Sequence, residues 1–324
     1  MSTGGGFAVL DGSQLGDIDL SLPDHPASAL TGAQVIELAE SKVSDRLYGL
    51  SLPETIRSGA LGRVGCVDGA SFQGAKLDGD QAVEKLKEYV AAIADQLKDD
   101  PIVVSILDGS ALRLYLEDED DFAMLAENLF TELDTEDTGK IKKSEIRRAL
   151  DHMGVDMGVP PPSELPLLGD ILKKHGAEGE EEVGQAQFAE VLQPVLHELA
   201  DTLAEKHIVV THNVKVVNGS KIRKFLDNEK QLENVTEKVL EGNHEQSCVE
   251  TVRKYLEKNG TDMGLPPLDI EEAVALYNAV FYSAAYNKSV LEWRKEEIRE
   301  IVKEILGKFA EQLESDPVFI DLGN

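Results

Sequence analysis

The chain repeats itself, and the repeat limits what it can fold into more than any other feature. The segment from Arg147 to Pro161, RRALDHMGVDMGVPP, returns from Arg253 as RKYLEKNGTDMGLPP, with DMG(V/L)PP in common. In both copies a helix is predicted to end at the glycine. The prolines forbid its continuation, and proline suits the first turn of the next helix. A second signal, a helix running into a short extended segment, occurs as DQLKDDPIVV from Asp95, DTLAEKHIVV from Asp201 and EQLESDPVFI from Glu311. A third is VLDGS at Val9 to Ser13, ILDGS at Ile106 to Ser110 and VNGS at Val217 to Ser220, where Asp or Ser is placed to cap the helix that follows. Together these divide the chain into three units, 1–104, 105–212 and 213–324.

Within the middle unit, the twelve residues from Asp134 to Glu145 have the spacing that wraps a peptide around a hard cation. Asp134, Glu136 and Thr138 supply side-chain oxygens at loop positions 1, 3 and 5. Lys140 offers its carbonyl at 7, Lys142 stands at 9, and Glu145 closes the cage at 12 with both carboxylate oxygens. Gly139 permits the sharp turn, and Ile141 is placed for a short backbone bridge to a partner loop. Phe122, Leu125, Leu129, Phe130 and Leu133 recur at helical spacing before the loop, as do Ile146, Ala149, Leu150 and Met153 after it. This helix, loop and helix resembles the EF-hand family, and the resemblance implies a calcium ion held by Asp134, Glu136, Thr138, Lys140, Lys142 and Glu145. Glu136 is longer, Thr138 neutral and Lys142 cationic relative to the usual pattern, which predicts moderate affinity.

The other loops are eroded. In the frame that sets Val183 opposite Ile141, Gly176, Glu178, Glu180 and Gln187 take positions 1, 3, 5 and 12, with Glu181 where glycine belongs. Its predicted role is structural. The same frame places Leu77 and Gln81 in the first unit, and Trp293 and Glu297 in the third, at positions 8 and 12. The front loop of the third unit, around Glu241 to Thr251, has lost its glycine and spacing. The expected fold class is all-α: tandem EF-hand-like helix-loop-helix pairs, mostly degenerate, with short extended segments between units. From Ser13 to Gly69 only one helix-like stretch, near Ala33 to Leu47, is legible; the rest reads as loop or disorder.

Other chemistry has little support. A net charge of -29 argues against nucleic acid or an anionic membrane as partner, and the one basic stretch, Lys221 to Lys224, reads as a solvated helix face. No apolar signal core, no glycine at position 2 and no transmembrane run are present, so secretion, myristoylation and membrane insertion are not expected. Cys66 and Cys248 lie far apart without a CxxC neighbour and read as buried free thiols. Acidic runs at Glu117 to Asp121 and Glu178 to Glu182 read as solvated surface. His207 and His212 have no metal-pair spacing, and no phosphate-binding or nucleophile motif occurs, so no enzyme is expected. Trp293 reads as a lobe-packing residue.

The loop, its approach DEDDFAMLAENLF from Asp118 and the DMG(V/L)PP repeat resemble a small plant group of EF-hand calcium sensors. That resemblance, over roughly residues 85–320, implies a protein partner: a SNF-related, abscisic-acid-responsive stress kinase, inhibited in cytoplasm and nucleus. The competing class is a calcium-independent interaction scaffold that kept the EF-hand architecture.

Overall fold

The computed structural model describes residues 7–22, 29–64, 69–242, 247–286 and 294–323. The chain begins with β1 (Phe7–Leu10), β2 (Leu30–Thr31), α1 (Gly32–Arg46), α2 (Glu54–Arg63), α3 (Gly69–Gly74), β3 (Lys76–Leu77) and α4 (Gly79–Asp99). It continues through β4 (Ile102–Leu107), α5 (Ser110–Glu117), α6 (Glu119–Leu133), β5 (Ile141–Lys142), α7 (Ile146–Met153), α8 (Leu168–Lys174), β6 (Glu182–Val183), α9 (Gln185–Glu205) and β7 (Ile208–His212). The last third holds β8 (Val214–Val217), α10 (Ser220–Leu226), α11 (Glu229–Leu240), α12 (Cys248–Asn259), α13 (Glu271–Tyr286), α14 (Lys295–Ser315) and β9 (Val318–Asp321).

Helix dominates, but the all-α expectation needs correction, because the extended segments pair into small sheets. β4 lies between β1 and β7, and its antiparallel register with β7 runs from Val103 opposite His212 to Leu107 opposite Ile208. β8 and β9 form a separate antiparallel ribbon, Val214 opposite Asp321 through Val217 opposite Val318. Valine and isoleucine make these segments good strands, and pairing satisfies backbone groups that an isolated extended segment would leave to water.

Each sequence unit contains a helix of 21 residues, α4, α9 or α14. Leu86, Ile93 and Leu97 of α4 correspond to Leu192, Leu199 and Leu203 of α9 and to Val302, Phe309 and Leu313 of α14; all nine are buried. The sixteenth residue of each helix is an alanine, Ala94, Ala200 or Ala310, and against it lies the glycine of the (D/N)GS segment. Gly12, Gly109 and Gly219 have φ of 84°, 80° and 82°, and a Cβ on them would come within 2.5, 2.2 and 2.7 Å of the alanine carbonyl oxygen. Left-handed backbone and this close approach both demand glycine. The capping differs from expectation in one respect: the glycine itself is the N-cap residue, without a side-chain cap. Asp11 and Asp108 instead accept the serine N–H two residues on, at 3.0 and 2.9 Å, and the serine hydroxyl at 2.6 Å.

The DMG(V/L)PP copies also share a geometry. Each forms a 3-10 turn in which Val159 or Leu265 donates its N–H to the carbonyl of Gly154 or Gly260 at 2.9 Å. Gly158 and Gly264, with φ of 90° and 91°, then rest on the first turns of α5 and α10, near Ala111 and Lys221. The prolines do not open the next helices, which begin at Leu168 and Glu271; Val159 and Leu165 enter the core first.

Two compact units result. Among the described residues, one comprises 7–9, 48–50 and 103–212, and the other joins those of 10–47, 51–102 and 213–323. The first is centred on apolar faces of α6, α7 and α9, with Phe130 edge-on to Phe188. In the second, Tyr277, Phe281 and Phe309 form an aromatic cluster. There the end of α4 meets the start of α10: the Lys98 carbonyl accepts from Asn218 Nδ2 at 2.9 Å and Ser220 Oγ at 3.1 Å. Lys221 reaches Asp100, Lys224 reaches Asp99, and Arg223 is bidentate to Glu314 at 2.9 Å. The basic stretch read as a solvated face is therefore an ion-paired joint.

The region from Ser13 to Gly69 is more regular than its composition predicts. α1 covers the legible stretch, while α2 was hidden by Pro53, Gly59 and Gly62. It buries Ile56 and Ala60, and Glu40 of α1 accepts from Arg57 Nε at 2.8 Å and from the Tyr89 hydroxyl at 3.0 Å. Tertiary packing and this polar knot outweigh weak local propensity. Among the described residues no helix is long and apolar enough to cross a membrane.

Candidate metal centre

The loop from Asp134 to Glu145 is framed by α6 and α7, whose buried residues are the ones the spacing predicts: Phe122, Leu125, Leu129, Phe130 and Leu133, then Ile146, Ala149, Leu150 and Met153. Asp118 starts α6 by accepting the N–H groups of Asp120 at 2.8 Å and Asp121 at 3.3 Å. The acidic run at Glu117 to Asp121 thus has a capping role beyond solvation, and its charge suits the positive end of the helix.

Asp134 organises the loop. Its Oδ1 accepts the N–H of Thr138 at 2.9 Å and its Oδ2 the N–H of Gly139 at 2.7 Å. These bonds hold the Asp134 carboxyl below the usual aspartate range, the Thr138 N–H contributing most. Asp137 and Gly139 are left-handed, with φ of 53° and 70°, so the chain folds back over the Asp134 side chain. Thr138 Oγ1 lies 3.0 Å from Asp134 Oδ1 and 2.9 Å from the Lys140 carbonyl oxygen, bringing three oxygens from positions 1, 5 and 7 together. Glu136 is exposed. Glu145 ends a 3-10 turn before α7, and its Oε2 accepts from Arg148 Nη1 at 2.7 Å. Lys142 Nζ points to Glu180 Oε2 at 2.5 Å.

Ile141 lies opposite Val183 in the two-residue pair of β5 and β6, as the loop frame predicts, and both are buried. The same device recurs in the first sequence unit, where Leu30 lies opposite Leu77 in the pair of β2 and β3. Four places after each bridging aliphatic stands Glu or Gln. In the eroded loops this residue turns back on the backbone: Gln34 accepts the Thr31 N–H, Gln81 the Asp78 N–H and Gln187 the Gly184 N–H. Glu250 does the same for Ser247. At Thr31, Asp78 and Ser247 the bond is reciprocal, a capping box, while Gly184 has no side chain and only the Gln187 half forms; either way the residue at position 12 has a structural use without a metal. Glu145 differs, being bonded to a neighbouring side chain, and Glu297 at position 12 of the third unit forms no capping box either.

Sequence reasoning missed the function of the acidic run in the second loop. With Ile141 opposite Val183, an antiparallel count brings Lys142 and Lys143 alongside Glu180 to Glu182, so the signal was present. Lys142 pairs with Glu180 at 2.5 Å, Lys143 with Glu181 at 2.6 Å, Lys140 with Glu182 at 4.0 Å and Arg147 with Glu178 at 3.6 Å. The run is ion-paired to the first loop.

Chemically the donors suit a hard cation, being carboxylate, hydroxyl and carbonyl oxygens without thiolate or imidazole. Their arrangement is partial. Among the described residues no three His, Cys, Asp or Glu side chains gather as a metal-ligand group, so Asp134, Glu136 and Glu145 do not yet converge. Elsewhere, His207 contacts the Tyr48 carbonyl at 3.1 Å and His212 contacts Ser105 Oγ at 2.8 Å. Cys248 is buried, and burial raises its thiol pKa. Cys66, Trp293 and part of the front loop of the third unit lie outside the described residues. Compared with known proteins, the chain matches no family model, no curated protein and no solved structure.

Proposed function

We propose that this chain binds one calcium ion in the loop Asp134 to Glu145 and uses it to regulate a protein partner. One observation carries the reading: Asp134, Thr138 and Lys140 already bring their oxygens together, and Glu145, which ends the loop, is bonded to the Arg148 side chain and not turned back on the backbone as Gln34, Gln81 and Gln187 are. Binding would exchange the Arg148 contact of Glu145 for the ion and so act on the start of α7. Such a shift between helices is a recognised way for an ion to expose a partner surface. The kinase partner rests on the likeness of DEDDFAMLAENLF and DMG(V/L)PP to the plant sensors. A SNF-related stress kinase, inhibited in a calcium-dependent manner, is the partner proposed.

The second reading is a calcium-independent scaffold, favoured by the lack of a gathered carboxylate group among the described residues. Isothermal titration with calcium in millimolar magnesium separates the two. One site per chain, weakened at least about tenfold in Glu145→Gln by loss of a charged ligand, supports the sensor. No heat in the natural sequence supports the scaffold. Pull-down of the kinase with and without chelator then tests the partner.

A further inference from the structure

From Asp134 to Arg148 the chain carries four acids, Asp134, Glu136, Asp137 and Glu145, but five bases. That balance repels a cation. The second loop adds four acids and no base between residues 178 and 182, and places them on Lys140, Lys142, Lys143 and Arg147. Arg148, the fifth base, is held by Glu145. We propose that the second loop, although it has lost its own ligands, is an electrostatic clamp that sets the cation affinity of the first. This rests on the calcium reading above.

The exposure of the pairs argues for this role over a stabilising one. The side chains of Glu180 and Glu181 are 78% and 71% exposed, and ion pairs so placed add little to stability. Their charge still acts on a nearby divalent ion, because Coulomb energy scales with both charges and sums over every group within a screening length. Freed from Glu180, Lys142 would compete with the ion for Glu145.

The test is calcium titration of the full chain as a double-mutant cycle. Glu180→Gln with Glu181→Gln weakens calcium binding by about three- to tenfold. Lys142→Gln with Lys143→Gln strengthens it by a similar factor. In the combined variant the glutamate exchange keeps its direct charge effect on the ion and loses the part that came from freeing Lys142 to compete for Glu145. The urea midpoint without calcium stays unchanged in the glutamate variant. An affinity unchanged in the glutamate variant, where the natural sequence binds, would overturn the clamp while leaving the calcium site standing. No calcium heat in any variant overturns the calcium reading and the clamp with it.

Discussion

Asp134 serves the backbone as well as any ion, since its two oxygens hold the N–H groups of Thr138 and Gly139. This makes the loop a preformed turn. The consequence for pH has a definite sign. The folded pKa of Asp134 is depressed, so its charged form favours the wrapped loop; the contribution is full above the unfolded value of about 3.9 and is lost as pH falls through the lower folded value. In an NMR titration the Thr138 and Gly139 amide protons should shift with a common midpoint below the usual aspartate range, and Asp134→Asn should abolish that titration. A midpoint at or above the ordinary range would refute the assignment. At this scale the sequence was most legible: oxygen donors at fixed spacing and glycine at the turn identify the loop. What it hid was competition for those donors. Arg148 on Glu145 and Glu180 on Lys142 depend on side-chain directions that spacing alone does not define.

Among the elements, the ends of the three 21-residue helices and the extended segments after them were readable from the repeated signal of a helix running into a short extended segment. The (D/N)GS glycines were seen only as neighbours of a cap. Their real constraint is contact with the sixteenth residue of a helix far along the chain, which no local pattern reveals. It gives a sharp prediction. Gly109→Ala combines φ of 80° with a Cβ 2.2 Å from the Ala200 carbonyl oxygen, and both strain and displacement oppose folding. The loss should be about 2–4 kcal/mol. Gly79→Ala, at the first turn of α4 with open space around its Cβ, is the control and should be neutral or stabilising by up to about 1 kcal/mol. Urea unfolding of both variants decides. Equal stabilities would mean that the shared glycine has no packing role. α2 escaped notice for the opposite reason: its sequence is locally poor helix, and Ile56, Ala60 and the Arg57 contact to Glu40 supply its stability from outside.

For the whole molecule, sequence repeats predict three units, and they do not reveal that most of the first and third share a compact body. The contacts that join them, Asn218 and Ser220 to the Lys98 carbonyl and Lys221 to Asp100, are polar and long-range, and a charged stretch on paper gives no partner. The loop from Asp134 to Glu145 lies in the other unit, where a continuous physical route leads away from it. Ile141 pairs with Val183, Val183 precedes α9, α9 leads into β7, and β7 pairs with β4 from Val103 to Leu107. If the ion acts on a partner, its effect should travel along packed and hydrogen-bonded elements of this kind. Hydrogen exchange with and without calcium should therefore show slower exchange in Asp134 to Glu145, in β5 and β6, and also in β4 and β7. Change limited to residues 120–190 would make calcium a local strut and remove the basis for regulation. Change absent even from the loop would instead favour the scaffold, in which the capping boxes and the paired acids serve architecture alone.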